Sequence, residues 1–357
     1  MSDPNSQDRQ DSRLSQKLCD SGQLFRDRYE VVRVLGRGGF GVTHLARDRM
    51  LPGSPLCVIK QLFPKVSHPI ALERAKQRFR REARILGRLG SHSQLPMLLD
   101  YFTFQGEFFL VQEYIHGDTL SREVRKGGAQ KEPVVKKFLA EVLPAVRYIH
   151  RNRVIHRDIK PPNIIRCRDD NRLVLLDFGA VRECLHHDDD PGDHAASPTT
   201  HFVGTMGFAP PEQLALRPTY SSDIYALGVT CLYLLSGKSP LEFDIDPETQ
   251  ELDWQRSVSI SQSFERLLSK MLTTDLSARF KRIDEVQRAL QLEEHYSNLE
   301  RCLNRVPRAA EAANPEDVEL EQNLSPIQRR AAAIRSLRQR QQQHSRGSSG
   351  QGPVFPL

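Results

Sequence analysis

The segment IHRDIKPPNII, Ile155–Ile165, concentrates chemically capable side chains in one short stretch between apolar flanks. A histidine, an arginine, an aspartate, a lysine and an asparagine fall within eight consecutive positions. Two adjacent prolines stiffen the segment, because each fixes its own φ and turns its predecessor away from helix. The pattern predicts a rigid functional loop. Asp158 has no neighbouring carboxylate, so we predict that it can accept a proton from a hydroxyl group.

A second aspartate follows the apolar run LVLL within the segment RLVLLDFGAV, Arg172–Val181. We interpret this segment as a strand that delivers Asp177, followed by Phe178 and Gly179. Asp177 and Asn163 offer the hard oxygen ligands that Mg²⁺ accepts when phosphates complete its octahedron. An isolated Asp-Phe-Gly indicates only a turn, so the magnesium hypothesis depends on the other motifs.

The glycine-rich segment GRGGFG, Gly36–Gly41, has two competing explanations. A dinucleotide site uses this spacing but needs a helix directly after the glycines. Here VTHLARD follows and is typical of a strand, which favours a hairpin whose backbone N–H groups cover phosphates. A glycine turn without any ligand stays open at this point.

Lys60 ends the apolar run CVIK, where an unpaired ammonium would be costly to bury. A helix predicted over Ala71–Gly90 offers Glu82 beside Phe79 and Ala83, so Glu82 can face the sheet. The two side chains would form an ion pair whose ammonium reaches a phosphate. The alternative is a strand-end lysine that extends into water.

The 357 residues divide by pattern into four segments. Residues 1–24 are polar and predicted to be disordered, residues 25–113 are rich in strands, and residues 114–295 are rich in helices. Residues 296–357 are predicted to form a basic tail, helical or disordered. Strands and helices are thus segregated, which indicates an α+β fold without βαβ alternation.

Composition excludes several classes of protein. The net charge of +6 is concentrated in residues 322–357, which hold six arginines and no acid, so we expect no DNA binding. No apolar run is long enough to span a membrane, and the N-terminus lacks a secretory signal. Six scattered cysteines without a Cys-x-x-Cys pair indicate reduced thiols in the cytoplasm.

Two segments outside these motifs have open interpretations. The segment LSPIQRRAAAIRSLRQRQQQ could form a basic helix that contacts acidic lipid headgroups, RNA or an acidic partner, or it could be a solvated tail. His186, His187 and His194 lie among acids, and we interpret them as part of a solvated insert rather than a metal site.

The ordered set of glycine hairpin, strand lysine, helix glutamate, HRDIKPPN and DFG resembles the protein-kinase signature. The chain looks like a bacterial eukaryotic-like (Hanks-type) serine/threonine protein kinase, and GGFG, CVIKQ and LVQEYI resemble the cyanobacterial ones most. The resemblance covers roughly Tyr29–Leu292. It implies a bilobal fold, with a small β-rich N-lobe carrying one main helix and a larger helical C-lobe. It also implies ATP and Mg²⁺ as cofactors and proteins with Ser or Thr as substrates.

The resemblance also implies individual roles. Asp158 would be the catalytic base, Lys160 would steady the γ-phosphate, and Thr205 would position the substrate hydroxyl. Lys60, tied by Glu82, would hold the α- and β-phosphates. The metal ligands would be Asn163 and Asp177. The residues around ATP would be Gly36, Arg37, Gly38, Gly39, Phe40 and Gly41 over the phosphates, with Gln112, Glu113 and Ile115 at the adenine.

Supporting positions follow the same resemblance. Glu212 would pair with Arg279, and Asp223 would brace the catalytic loop. Arg157 would bind a phosphate after autophosphorylation in the activation segment, unless that segment is active unmodified. The candidate phosphorylation sites are Ser197, Thr199, Thr200 and Thr205.

The chain departs from the usual pattern at a few positions. Thr43 and Val58 stand where valine and alanine are usual beside the adenine, which implies a slightly altered ATP pocket, and Pro210 replaces an alanine. Two other classes compete with a protein kinase. One is a non-catalytic nucleotide-binding scaffold. Such a scaffold usually lacks at least one of the residues that correspond to Lys60, Asp158 and Asp177. The other is a small-molecule kinase, which tends to lack the segment GTMGFAPPEQ.

Overall fold

The computed structural model describes residues 24–38, 41–62, 69–90, 92–104, 107–178, 181–183 and 204–303. The described residues up to Ser297 belong to one compact unit, and of a second unit, Asn298–Leu357, only the end of the last helix is described. Residues 304–357 of the predicted tail and the segment holding His186, His187 and His194 lie outside the described residues. None of the described helices is both long enough and apolar enough to cross a bilayer.

The N-lobe is an antiparallel five-stranded sheet in the order β1-β2-β3-β5-β4. The first two strands form a hairpin that closes where Gly38 pairs with Gly41, as the glycine-rich segment predicts. The strands are β1 (Tyr29–Gly38), β2 (Gly41–Asp48), β3 (Leu56–Leu62), β4 (Leu98–Phe104) and β5 (Glu107–Glu113). Strand β4 was not predicted from the sequence.

Helix α1 (Pro69–Leu89) packs on the inner face of this sheet. Phe79, Ala83 and Leu86 recur at helical spacing and are buried against the sheet, so this face anchors the helix. Gly90 follows with φ of 62°, a left-handed conformation that glycine adopts without strain and that ends the helix. The predicted helix over Ala71–Gly90 is confirmed within two residues at its start.

The C-lobe is mainly helical and is organised around α5 (Tyr220–Ser236), in which fourteen of the seventeen residues are buried. Gly228 lets helix α6 (Gln262–Leu272) approach closely, because a Cβ there would lie 3.0 Å from the Leu272 side chain. The other described helices are α2 (Leu120–Gly127), α3 (Glu132–Arg151), α4 (Pro211–Leu214), α6 (Gln262–Leu272) and α7 (Ile283–Leu303). The α+β class and the bilobal arrangement are confirmed.

Short strands frame the loop Ile155–Ile165, and of these the sequence predicted only the one within Arg172–Val181. A three-stranded sheet in the order β6-β8-β9 comes directly after the N-lobe, and a two-stranded pair joins β7 to β10. The C-lobe strands are β6 (Gly117–Thr119), β7 (Val154–Ile155), β8 (Ile164–Cys167), β9 (Leu173–Leu175), β10 (Arg182–Glu183), β11 (Asp244–Ile245) and β12 (Leu252–Asp253).

Candidate active site

The loop Ile155–Ile165 is held to the core by one carboxylate. Asp223, on the buried helix α5, accepts the backbone N–H of His156 at 2.9 Å and that of Arg157 at 2.8 Å. His150 Nε2 lies 2.8 Å from the same carboxylate. Burial by itself raises the pKa of Asp223, but the hydrogen bond and charge of His150 and the loop N–H groups outweigh it, so the pKa is lowered. Asp223 is thus a charged anchor, in the place the resemblance implies.

Arg157 adopts a strained backbone between these anchors and Asp158. Its φ is 67°, which costs a non-glycine residue of the order of 1–3 kcal/mol unless its surroundings hold it. Asp223 holds its N–H, and Gln213 Nε2 donates to its carbonyl at 2.7 Å. The strained residue therefore sets the direction of the next one, Asp158.

Asp158 is surrounded by the polar groups that the sequence singled out. Thr205 Oγ1 donates to Asp158 Oδ1 at 2.8 Å, and Lys160 Nζ lies 2.9 Å from Oδ2. Lys160 Nζ also contacts Thr205 Oγ1 at 2.5 Å, so the three side chains close a triangle. Asn163 Nδ2 donates to both the carbonyl and Oδ2 of Asp158 at 2.9 Å. The loop and the segment after Gly204 meet at this carboxylate.

Lys60 and Glu82 form the ion pair that the sequence predicted. Lys60 Nζ lies 2.6 Å from Glu82 Oε1 and 3.4 Å from Asp177 Oδ1. Burial opposes the charge of Lys60, but the two carboxylates outweigh it and raise the pKa of its ammonium. Lys60 is thus charged at physiological pH. The alternative of a strand-end lysine extending into water is excluded.

Asp177 lies two residues beyond β9 rather than at its end, with φ of 64°. The backbone N–H of Leu176, the residue before Asp177, donates to the Asn163 carbonyl at 2.7 Å. This hydrogen bond holds the backbone segments of the two predicted metal ligands next to each other. The Asp177 side chain is 49% exposed, whereas Phe178 beside it is fully buried. The turn thus buries its aromatic residue and presents its carboxylate at the cleft.

The connection between the lobes runs through Glu113 to Ile115. Gln112 is buried opposite Val58, and its Oε1 has no hydrogen-bond partner among the described residues. The side chain of Ile115 packs with Cys167 and Val174 of the small sheet. Ile115 can therefore meet a ligand in the cleft only through its backbone, a detail that the sequence did not show.

The glycine-rich segment is described only in part, since Gly39 and Phe40 lie outside the described residues. Among the described residues, a Cβ at Gly36 would meet nothing within 4 Å, so the position beside Gly36 is open. Thr43 pairs with both Gly36 on β1 and Lys60 on β3. The hairpin is therefore joined through β2 to the strand that carries the lysine.

A buried ion pair supports the segment that carries Thr205. Arg279 is fully buried, and its Nη1 lies 2.8 Å from Glu212 Oε1. Its Nε donates to the Thr273 carbonyl at 2.7 Å, and Ser222 Oγ donates to Glu212 at 2.7 Å. The remaining donors and acceptors of the pair are thus occupied, which offsets the desolvation of both charges.

Sequence reasoning missed two histidines. His150 and His156 were not assigned roles, yet His150 contacts Asp223, and His156 is fully buried beneath the loop. His156 Nε2 faces the Leu176 carbonyl at 3.1 Å, and its ring meets the edge of Phe178 with centroids 5.0 Å apart. Burial lowers the pKa of His156. His156 thus joins the loop of Asp158 to the turn of Asp177. No spacing signal in the sequence connects these distant partners.

Comparison with known proteins agrees with this geometry. A family model described as the protein kinase domain matches residues 29–292. The chain is 48% identical over 277 residues to serine/threonine-protein kinase B of Synechocystis sp. and 42% identical over 273 residues to serine/threonine-protein kinase PknA of Nostoc sp.. It is also 30% identical over 250 residues to Aurora kinase A-A of Xenopus laevis.

The chain therefore belongs to the protein kinase family, and its resemblance to the cyanobacterial serine/threonine kinases is confirmed. The first two alignments cover 77% and 76% of this chain but 48% of each relative. The chain thus spans about half the length of these curated relatives. The Xenopus alignment covers 68% of this chain and 57% of that protein.

Proposed function

We propose that this protein is an ATP- and Mg²⁺-dependent serine/threonine protein kinase that transfers the γ-phosphoryl group to protein hydroxyls. The observation that carries the proposal is the closed triangle of Asp158, Lys160 and Thr205 in a chain whose Lys60–Glu82 pair is formed. Catalysis by such a site comes mainly from positioning and from charge stabilisation. The names of the relatives support the same class of substrate.

Asp158 would accept the proton of the acceptor hydroxyl. Its Oδ1 is bonded by the Thr205 hydroxyl, which a substrate Ser or Thr hydroxyl can imitate chemically. Lys160 lies within 2.9 Å of Asp158 and would place its charge on the transferred phosphoryl group. Thr205, which contacts both, would orient the incoming hydroxyl between them.

The residues around the cleft fit a magnesium nucleotide. Mg²⁺ supplies positive charge that offsets the phosphate oxygens, and the carboxylate of Asp177 and the amide oxygen of Asn163 would hold it. Lys60 is charged and held by Glu82, so it would bind the α- and β-phosphates. Phosphates would bind under the segment Gly36–Gly41. Gly36 has no side chain to occupy the open space beside it.

The adenine would meet the segment Gln112–Ile115. Among the described residues, the buried Oε1 of Gln112 has no hydrogen-bond partner, so it is an acceptor that the exocyclic amine of adenine could satisfy. Glu113 and Ile115 would contribute backbone groups. Thr43 and Val58 would border the base, with the slightly altered pocket that their side chains imply.

A non-catalytic scaffold is the competing proposal, and the joint presence of Lys60, Asp158 and Asp177 in contact distance of their partners disfavours it. A small-molecule kinase is disfavoured by the peptide-docking type of segment around Thr205. We place the N-lobe at residues 25–113, the C-lobe at 114–295 and a tail at 296–357, and propose a cytoplasmic protein without DNA as a partner. A contact of the basic tail with an acidic partner or membrane surface stays a proposal, because that segment lies outside the described residues.

We propose that the protein phosphorylates its own activation segment. Its proposed cellular role is signal transduction. The Thr205 hydroxyl is engaged by Asp158, which favours Ser197, Thr199 or Thr200 as the modified site near Arg157. Those three residues lie outside the described part of the chain. Phosphosite mapping of active protein tests this proposal, and active protein modified at none of them would contradict it.

The proposed activity is tested by transfer of label from γ-labelled ATP in the presence of Mg²⁺ to the protein itself and to a basic protein. Wild type is compared with Asp158→Ala. We expect label on Ser or Thr that is lost in the variant. Absence of label with wild type, while ATP still binds, would support the scaffold instead.

A further inference from the structure

Three cations converge on one carboxylate beside the catalytic loop. Asp118 on β6 lies 3.2 Å from Arg122 Nε, 3.0 Å from Lys126 Nζ and 3.2 Å from Arg168 Nη2. Arg122 and Lys126 come from α2, whereas Arg168 follows β8, so two separate elements build the cluster. We call Arg122, Lys126 and Arg168 the basic surface.

The basic surface carries more positive charge than its own acid can neutralise. Hydrogen bonds from Lys126 and Arg168 lower the pKa of Asp118, so it holds one negative charge against three positive ones. The three cationic side chains are 54–58% exposed, which leaves them accessible to a partner. Two neighbouring carboxylates face other cations, in the pairs Glu123–Arg166 and Asp170–Arg172, and Asp169 lies 3.6 Å from His116 Nδ1.

The position of this surplus charge points to its occupant. Helix α2 and β6 both pack against the turn Pro161–Asn163, which begins three residues after Asp158. A polypeptide whose hydroxyl lies at Asp158 extends by about 3.3 Å per residue, so residues a few positions away come close to α2. The molecule that most readily meets this surface is therefore the one being phosphorylated.

We propose that the basic surface binds an acidic segment of the protein substrate, a few residues from the phosphorylated Ser or Thr. This inference rests on the proposed kinase activity and adds a preference for Asp and Glu near the acceptor. The surface acts by charge complementarity and contributes to substrate binding, not to the transfer step. Phosphate transfer to a neutral peptide is therefore independent of it.

The test compares three peptides that differ only in charge near one serine. Each peptide carries a block of three consecutive Glu, Gln or Lys residues. The block is placed at successive distances of three to six residues from the serine, first on its N-terminal side and then on its C-terminal side. In low salt we expect kcat/KM to be about tenfold higher for the best Glu peptide than for its Gln counterpart, because a few exposed ion pairs each contribute modestly. The difference lies in KM and shrinks to about twofold at 0.5 M salt, where screening is strong.

The matched variants remove equal charge at two places. Arg122→Gln, Lys126→Gln and Arg168→Gln together should reduce the Glu advantage to less than about twofold and leave the Gln peptide unchanged. The control replaces three exposed or peripheral cations elsewhere in the C-lobe, with Lys137→Gln, Arg256→Gln and Arg266→Gln, and should keep the full advantage. If the triple variant loses stability, Arg168→Gln alone, outside every helix and strand, should still show a partial loss.

The outcomes separate this inference from the kinase activity. Equal phosphorylation of Glu and Gln peptides by wild type would overturn the basic surface and leave the kinase proposal intact. Transfer to no peptide would count against the kinase proposal. Fluorescence anisotropy with a Glu peptide carrying Ala for the serine would then still test the surface. Wild type that sediments with phosphatidylglycerol vesicles when the triple variant does not, without any Glu preference, would overturn the inference in favour of a membrane contact.

Discussion

Replacing Asp223 by Asn removes one charge from the anchor of the catalytic loop and almost no volume. The carboxylate accepts from two backbone N–H groups and contacts His150, all within 2.9 Å. An amide has only one oxygen acceptor, so its NH₂ group must face at least one of these donors. With the amide nitrogen in the Oδ1 position, the N–H of Arg157 loses its acceptor in a fully buried site.

The expected loss follows from these contacts. One buried donor without an acceptor costs about 1–3 kcal/mol, and weakening of the charge-assisted bonds adds about 1 kcal/mol, so we expect Asp223→Asn to destabilise the protein by about 2–4 kcal/mol. Arg157 should relax from its φ of 67°, which displaces Asp158. A displacement of about 1 Å at such a position can reduce kcat by about 10²-fold. KM for ATP should change little, because Lys60 is not involved.

Urea unfolding can follow the single tryptophan, Trp254, which is buried. Thr230→Val on the same helix is the matched control, since it removes a buried hydroxyl whose hydrogen-bond partner among the described residues is the Ala226 carbonyl. Its stability should fall by about 1 kcal/mol or less, with kcat unchanged. If Asp223→Asn retained both the wild-type unfolding midpoint and the wild-type kcat, the idea that Asp223 positions the loop would be refuted.

Glu82→Gln should lower kcat/KM for ATP by about 10²-fold in steady-state assays, because Lys60 loses its charged partner at 2.6 Å; an unchanged value would show that the pair does not position Lys60. Glu212→Gln should destabilise the protein by about 3 kcal/mol, since Arg279 stays buried without its counterion, and an unchanged thermal midpoint would contradict this. Burial lowers the pKa of His44, so below pH ~6.5 the unfolded chain binds a proton that the folded chain does not. The free energy of unfolding therefore decreases as the pH is lowered. In His44→Gln, the stability lost between pH 7 and 5.5 should be about 1 kcal/mol smaller than in wild type, as measured by urea unfolding, and an equal loss would exclude His44 as its source.

Local patterns in the sequence were sufficient for the main elements and for the residue types of the candidate site. The hairpin at Gly36–Gly41 and helix α1 follow from periodicity and glycine placement, because these depend on neighbours within a few residues. Lys60 and Glu82 could be paired from the sequence because a charged residue in an apolar strand needs a nearby opposite charge.

Only the tertiary structure showed how distant segments share one site. Asp223, 65 residues after Asp158, holds the loop through backbone N–H groups, and backbone donors carry no signature in the side-chain sequence. The same holds for the left-handed turns at Arg157 and Asp177 and for the short strands, which neighbouring strands stabilise through non-local hydrogen bonds. Residue types could thus be read from the chain, whereas their contacts came from long-range packing that no local pattern encodes.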